Sequence, residues 1–252
     1  MGGVPELADG PDLGSGAEKR RGSSPRFPTY SWRRETTNKR PLIAPQKIPE
    51  AWENKRGKSN MVSAILLAAG ASERMGKPKQ LMPLGNSTIV EQTIDNLLGS
   101  RVGEVIVVLG HRAEELIKAI ANRPVKIIVN PIYHQGMSTS IVTGLSLVDS
   151  RAQAVMLALA DQPFIDSKTI NRLMEGFFNH SKGIAIPAHQ GRRGHPIIFS
   201  IKYKGELLEL KGDIGGRQII REHPDDILEV AVDSPSINID IDNIGDYQSH
   251  FN

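Results

Sequence analysis

Cysteine is absent from the 252 residues. That absence removes disulfides, thiolate catalysis and cysteine-held metal centres from the functions open to the chain. Aromatic residues are scarce, at 5%. No apolar run approaches the roughly 20 residues of a membrane span, and none has the apolar core of a secretory signal. There is no internal repeat and no heptad. These exclusions leave the expectation of a soluble cytoplasmic protein that works through carboxylates, amines, hydroxyls and backbone groups.

Charge is unevenly spread. The formal net charge is +3, yet residues 1–60 hold 12 Lys/Arg against 7 Asp/Glu, with 7 of the 16 prolines and both tryptophans. The remaining residues are therefore slightly acidic. A basic, Pro/Ser/Arg-rich stretch without periodicity buries too little apolar surface to offset its ordering entropy. The expectation for 1–60 is a disordered or loosely attached leader, either a dispensable extension or a start-site artefact with Met61 as initiator. Phe27, Tyr30 and Trp32 are not interleaved with the basic residues, so nucleic acid is not an expected partner, and neither is a membrane. Residues 61–252 suffice for one sizeable core and are read as one domain.

Within that body, apolar runs at Val62–Ala68, Val105–Leu109, Val125–Val129 and Ala154–Ala160 have the continuity of strands buried on both faces. Helical candidates lie between and after them, at Ile89–Leu98, Ala113–Ala121, Thr139–Val148 and Ser167–Phe178. This alternation predicts an α/β fold: one Rossmann-like, three-layer domain around a mostly parallel, mixed sheet. Short strand candidates follow at Ile184–Pro187, Ile197–Phe199, Ile227–Val232 and Ile237–Ile241, some of them antiparallel. Ligands of such sheets bind beyond the carboxyl ends of the strands.

Chemistry-bearing residues cluster where that rule looks for them. Leu67-Ala68-Ala69-Gly70 opens a small-residue loop that carries Arg74, Lys77 and Lys79. Backbone N–H groups and cations in such a loop suit a triphosphate. It is neither the P-loop pattern nor the dinucleotide fingerprint. Asp161-Gln162-Pro163 follows a buried strand, where a carboxylate can hold Mg²⁺ against phosphates or cap a turn. Asp166 is better placed to cap the next helix. Asn238-Ile239-Asp240-Ile241-Asp242 alternates, so a strand there would put Asp240 and Asp242 on one face. Asp240 is favoured over Asp242 for metal, and Asp242 can instead cap a helix over Ile244–Tyr247. Gly136, Met137, Ser138 and Ser140 make a small polar loop able to reach a base or ribose, with Ser138 alternatively a helix cap. Arg193 and His195 sit in a glycine-flanked basic turn suited to an acidic substrate or simply exposed. Asp213 and Arg217 lie in a second glycine loop leading into a helix that Asp213 could cap.

In this order the motifs resemble the MobA/MocA-like nucleotidyltransferase family, closest to its molybdenum cofactor cytidylyltransferase branch, from about Met61 to Tyr247. The resemblance implies a nucleotide-diphospho-sugar transferase-like fold. It implies nucleotide binding at Leu67, Ala68, Ala69, Gly70, Lys79, Gly136, Met137, Ser138 and Ser140, with Arg74 and Lys79 on the triphosphate. Magnesium falls to Asp161, Asp240 and Asp242, and the acceptor side to Arg193, His195, Asp213 and Arg217. Guanylyl relatives tend to carry two glycines where this chain has Ala68-Ala69-Gly70, so CTP is the implied nucleotide. Asn243 and Gly245 depart from the family pattern after the acidic segment.

The implied reaction is attack by the terminal phosphate of molybdenum-loaded molybdopterin on the α-phosphorus of CTP. It gives molybdopterin cytosine dinucleotide and pyrophosphate. Arg74, Lys79 and Asp161 are the implied catalytic residues. A molybdenum hydroxylase or its accessory chaperone is the implied protein partner. The same phosphate loop would also serve a sugar- or polyol-phosphate cytidylyltransferase.

Overall fold

Side chains alternate across a strand, so a run apolar at every position needs cover on both sides. The computed structural model, which describes residues 60–71 and 78–249, shows that cover. Ten strands are described: β1 (Val62–Ala68), β2 (Pro83–Leu84), β3 (Ser87–Thr88), β4 (Glu104–Leu109), β5 (Lys126–Val129), β6 (Ala154–Leu159), β7 (Ile184–His189), β8 (Arg192–Arg193), β9 (Ile197–Ser200) and β10 (Ile227–Ala231). The main sheet runs β10-β7-β9-β6-β1-β4-β5, with β8 beside β7, while β2 and β3 form a separate hairpin. β1 is central and parallel to both neighbours, pairing Ile65 with Ile106 of β4 and with Leu157 of β6. β9 is antiparallel to β6 and β7, which makes the sheet mixed.

Helices fill the outer layers: α1 (Ile89–Leu98), α2 (Ala113–Ile120), α3 (Met137–Leu145), α4 (Ser167–Asn179), α5 (Lys204–Glu209), α6 (Arg217–Glu222) and α7 (Ile244–Ser249). Val62, Ala64, Leu66 and Ala68 share one apolar core with Ile94 of α1, Leu116 of α2 and Leu173 of α4. Ile65, Ile106 and Val108 face the other side and share a second core with Ile141 of α3, Leu207 of α5 and Ile219 of α6. The fold is therefore the expected three-layer α/β domain. Thr88 caps α1 through Glu91 N–H, and Asp166 caps α4 by accepting from Thr169 N–H at 2.8 Å.

Ile237–Ile241 departs from its expected strand. Pro235–Asn238 is a 3₁₀ turn, and Ile237 and Ile241 are both fully buried. The backbone bonds go to loops: Ile237 O accepts from His195 N–H at 3.1 Å, and Ile241 N–H donates to Asp161 O at 3.0 Å. Proline can start a turn but donates nothing to a ladder, so alternating polarity here records burial of the isoleucines without a strand partner. α3 begins at Met137, ahead of the expected Thr139, and ends at Leu145. α5 was not anticipated, because one buried residue, Leu207, leaves no visible period.

A buried carboxylate ties the lower edge of the sheet. Glu104 is 2% exposed. It accepts from Ser63 Oγ at 2.6 Å and Asp149 N–H at 2.8 Å, and pairs with Lys126 Nζ at 2.6 Å. Removing one partner of a buried pair leaves an uncompensated charge. Lys126→Met should therefore destabilise the protein by about 3 kcal/mol, the lower end of the usual range because the lysine keeps some solvent. Denaturant unfolding checks this, and a loss below about 0.5 kcal/mol, the size of an ordinary surface substitution, would contradict it.

Candidate active site

The parallel strands β1, β4, β5 and β6 deliver their carboxyl ends to one rim. Loops leaving that rim are laced together by backbone bonds. His111 N–H donates to Ala69 O at 3.2 Å, Asn130 N–H to Leu109 O at 2.7 Å, and Ala160 N–H to Leu67 O at 3.2 Å. They surround a cleft of about 1180 Å³. Of the residues singled out by sequence, Leu67, Ala69, Gly70, Lys79, Gly136, Met137, Ser140, Asp161, Asp213 and Asp242 line it. Arg74 lies outside the described residues. Ala68 is 1% exposed and packs into the apolar core, and Ser138 is wholly buried; neither lines the cleft.

Lys79 is the electrostatic centre of this cleft. Its Nζ donates to Asp161 Oδ2 at 2.7 Å and to Asp242 Oδ1 at 2.9 Å. Burial pulls the ammonium pKa down, but the two carboxylates outweigh it and the net shift is upward, so Lys79 is a cation at neutral pH. Asp161 Oδ1 is buried and has no hydrogen-bond partner. A buried carboxylate oxygen without a donor is costly unless a ligand completes it. Among the described residues, no group of three or more His, Cys, Asp or Glu could hold a metal by itself. Asp161 and Asp242 do fit a magnesium ion of the kind that takes one or two carboxylates and draws its remaining ligands from substrate phosphates and water.

The glycine loop after α5 closes the cleft floor. Gly136 has φ 110°, and a Cβ there would lie 2.5 Å from the backbone of Gly212. Only glycine lets the two segments meet. Asp213 Oδ1 then accepts from Met137 N–H at 3.0 Å, and Gly212 O from Ser138 N–H at 3.1 Å. Asp213 thus caps α3, not α6 as expected, and Ser138 is not the cap. The Ser138 hydroxyl is buried without a partner. Asn130, fully buried, donates to Ser140 Oγ at 2.9 Å and Thr139 Oγ1 at 2.8 Å and pins this turn.

Asp240 goes elsewhere. It accepts from Gln162 Nε2 at 2.5 Å and, with Arg193, His195 and Arg217, lines a second cavity of about 420 Å³. The 161–162 and 240–242 segments thus form a wall with Asp161 and Asp242 on the first cavity and Gln162 and Asp240 on the second. Desolvation raises the Asp240 pKa; the Gln162 bond opposes this, the Asp161 and Asp242 charges reinforce it, and His195 opposes it. Arg193 is in part engaged, pairing with Glu229 at 2.7 Å. Gly194 has no room for a Cβ, which would fall 2.2 Å from Ile237 O. That contact holds His195 against the 237–240 segment.

Sequence reasoning passed over several lining residues. His111 and Arg112 lie just beyond β4, after Gly110, a position the strand-end rule could have flagged. The Tyr133 hydroxyl is 3.3 Å from His111 Nδ1, and both line the first cleft. Gln80, Gln162, Arg221 and Asn238 also line the two cavities. Among the described residues, no helix is long and apolar enough to cross a membrane.

A family model described as the MobA-like NTP transferase domain matches residues 64–227. The chain is 30% identical over 191 residues to nicotine blue oxidoreductase of Paenarthrobacter nicotinovorans, covering 71% of this chain and 92% of that protein. It is also 30% identical over 187 residues to the molybdenum cofactor cytidylyltransferase of Escherichia coli (strain K12), covering 74% and 93%. Rv0371c of Mycobacterium tuberculosis H37Rv superposes with a TM-score of 0.69 at 28% identity, covering 77% of this chain and 98% of that one. That protein has also been solved in complex with manganese. The two curated relatives are equally similar and carry different activities, so similarity alone does not select between them.

Burial lowers the His195 pKa; Asp240 opposes this, Arg217 reinforces it, and Asp161 opposes it. With the folded value below the unfolded value of about 6.5, the unfolded chain takes the proton first as pH falls. The stability contribution of neutral His195 is thus complete above about pH 6.5 and is lost as pH drops from there through the folded pKa. Between pH 7.5 and 5.5, wild type should lose more unfolding free energy than His195→Asn in denaturant melts. Equal losses would contradict the assignment.

Proposed function

The chain belongs to the MobA-like NTP transferase family, and on that premise we propose that it transfers CMP from CTP to the terminal phosphate of molybdenum-loaded molybdopterin, releasing pyrophosphate. The observation that carries this reading is the Asp161–Lys79–Asp242 bridge, set at the strand ends with one buried carboxylate oxygen left without a hydrogen-bond partner. Catalysis here is alignment and charge neutralisation. The attacking phosphate oxygen is already ionised, so the protein need not supply a base or a nucleophile. It forms a bond to the α-phosphorus as the bond to pyrophosphate breaks. Lys79 holds the triphosphate and meets the charge that grows on pyrophosphate, assisted by Arg74. Asp161 and Asp242 would hold Mg²⁺, which supplies further charge neutralisation on the phosphates.

The two cavities divide the substrates. The first, lined by Leu67, Ala69, Gly70, Gly136, Met137 and Ser140, takes the nucleotide. The Ala69 methyl narrows the wall over the base compared with a glycine, which favours cytosine over guanine. The second, with Arg193, His195 and Arg217, takes the acceptor. An oxygen-sensitive product suits direct transfer to a molybdenum hydroxylase or its accessory chaperone.

The test is pyrophosphate release by the full chain with Mg²⁺, CTP and molybdenum-loaded molybdopterin. Turnover with CTP and formation of the dinucleotide support the reading. Turnover with GTP alone would overturn the base assignment, and turnover with sugar or polyol phosphates alone would move the acceptor to that class. Reduction of nicotine blue without pyrophosphate release would align the chain with its oxidoreductase relative. Asp161→Asn should cut turnover about 10²-fold or more, as loss of a charged group serving transition-state charge does. Asp242→Asn should cost less, since half of its side chain is already exposed. Circular dichroism controls for folding, and near wild-type activity in Asp161→Asn would contradict the site.

A further inference from the structure

The last described helix reaches back across 164 positions of the chain. Tyr247 of α7 donates its hydroxyl to Pro83 O at 2.6 Å. Pro83 opens β2 just after Lys79, and Tyr247 stands just after Asp242. The Tyr247–Pro83 bond therefore joins the same two segments that the Lys79–Asp242 ion pair joins at 2.9 Å. Between its ends the 242–247 turn is closed on itself. Asp246 Oδ2 accepts from Asp242 N–H at 2.9 Å and from Asn243 N–H at 3.0 Å. Asn243 Oδ1 accepts from Asp246 N–H at 3.0 Å, and Asn243 O from Tyr247 N–H at 3.1 Å. Reciprocal caps of this kind satisfy the first backbone donors of a helix and fix the turn that leads into it. On the facing segment, Gln80 is 3% exposed and donates from Nε2 to Gly70 O at 3.3 Å, which ties residues 79–83 to the loop after β1.

Asp242 stands between two anchors. On one side is the buried Ile241, whose N–H bonds to Asp161 O; on the other is Tyr247. The Asp242 side chain is 50% exposed, so water competes for it whenever the turn swings away from Lys79. We infer that the 242–247 segment is a strap and Tyr247 its fastening: a positioning residue that keeps Asp242 on the first cleft, opposite Lys79. The inference rests on the reading of Asp161 and Asp242 as the carboxylates that meet a divalent cation. A group held in place before its ligand arrives does not subtract its ordering entropy from binding. Tyr247 lines neither cavity, so its effect on the cation passes through Asp242.

Tyr247→Phe removes the hydroxyl and keeps the ring, and circular dichroism controls for folding. With CTP present, calorimetry on the full chain should show Mn²⁺ affinity weakened about fivefold, the scale of one hydrogen bond. Pyrophosphate release should need about fivefold more Mg²⁺ to reach half its maximal rate. It should regain the wild-type kcat at saturation, because the fastening sets where Asp242 rests and not what it does once the cation is bound. Asp242→Asn supplies the second arm. Adding Tyr247→Phe to it should weaken Mn²⁺ binding no further, since the hydroxyl acts through that carboxylate. Unchanged Mn²⁺ affinity in Tyr247→Phe would overturn the strap. So would the same fivefold loss in the Asp242→Asn background, or a fall in kcat that saturating Mg²⁺ does not restore; either is what a merely structural role produces. If wild type gains no Mn²⁺ affinity from CTP, the reading of the cleft fails and the strap with it. If wild type gains it and Tyr247→Phe gains as much, the strap alone fails.

Discussion

The structure depends on one ammonium held between two carboxylates from distant parts of the chain. Lys79 lies between β1 and β2, Asp161 follows β6, and Asp242 precedes α7. Desolvating such groups is costly, and a buried pair gives little net stability. What the bridge gives is preorganisation: a cation and a half-satisfied carboxylate already out of bulk water, in a cleft where electrostatic interactions are strong. A triphosphate with its cation can exchange for these internal partners, because it carries both the negative charge for Lys79 and the positive charge for Asp161.

The same contact builds the wall between the two cavities. Ile241 N–H bonds to Asp161 O and Gln162 Nε2 to Asp240, so the 240–242 segment is clamped to the end of β6. Ile237 and Ile241 anchor that segment in the interior. Burying alternate isoleucines leaves the aspartates at the wall, one directed to each cavity. The two cavities thereby share a backbone wall without sharing a carboxylate.

Much of this was legible in sequence. β1, β4, β5 and β6 announce themselves because strands covered on both faces must be apolar throughout. The strand-end rule put Asp161 and the cationic loop that carries Lys79 at one crevice, and both residues line the first cleft. The C-terminal segment was misread, because alternating polarity reports burial and does not distinguish a strand from a turn whose isoleucines are anchored. Asp213 capping α3 was also beyond sequence: the partner is 76 residues away, and only the tertiary approach of Gly136 and Gly212 creates it. Gln162 is legible in sequence only as the neighbour of Asp161 in the Asp161-Gln162-Pro163 turn. Its buried oxygen without a hydrogen-bond partner is a feature no sequence displays.

The central claim is that Asp161 and Asp242 form an incomplete metal site which substrate phosphates complete. Electron paramagnetic resonance of Mn²⁺, titrated into the full chain with and without CTP, tests it most directly. The account predicts weak binding without nucleotide, a large gain in affinity when CTP is present, and loss of that gain in Asp161→Asn. Tight Mn²⁺ binding in the absence of CTP, or a CTP-dependent gain unchanged in Asp161→Asn, would contradict it.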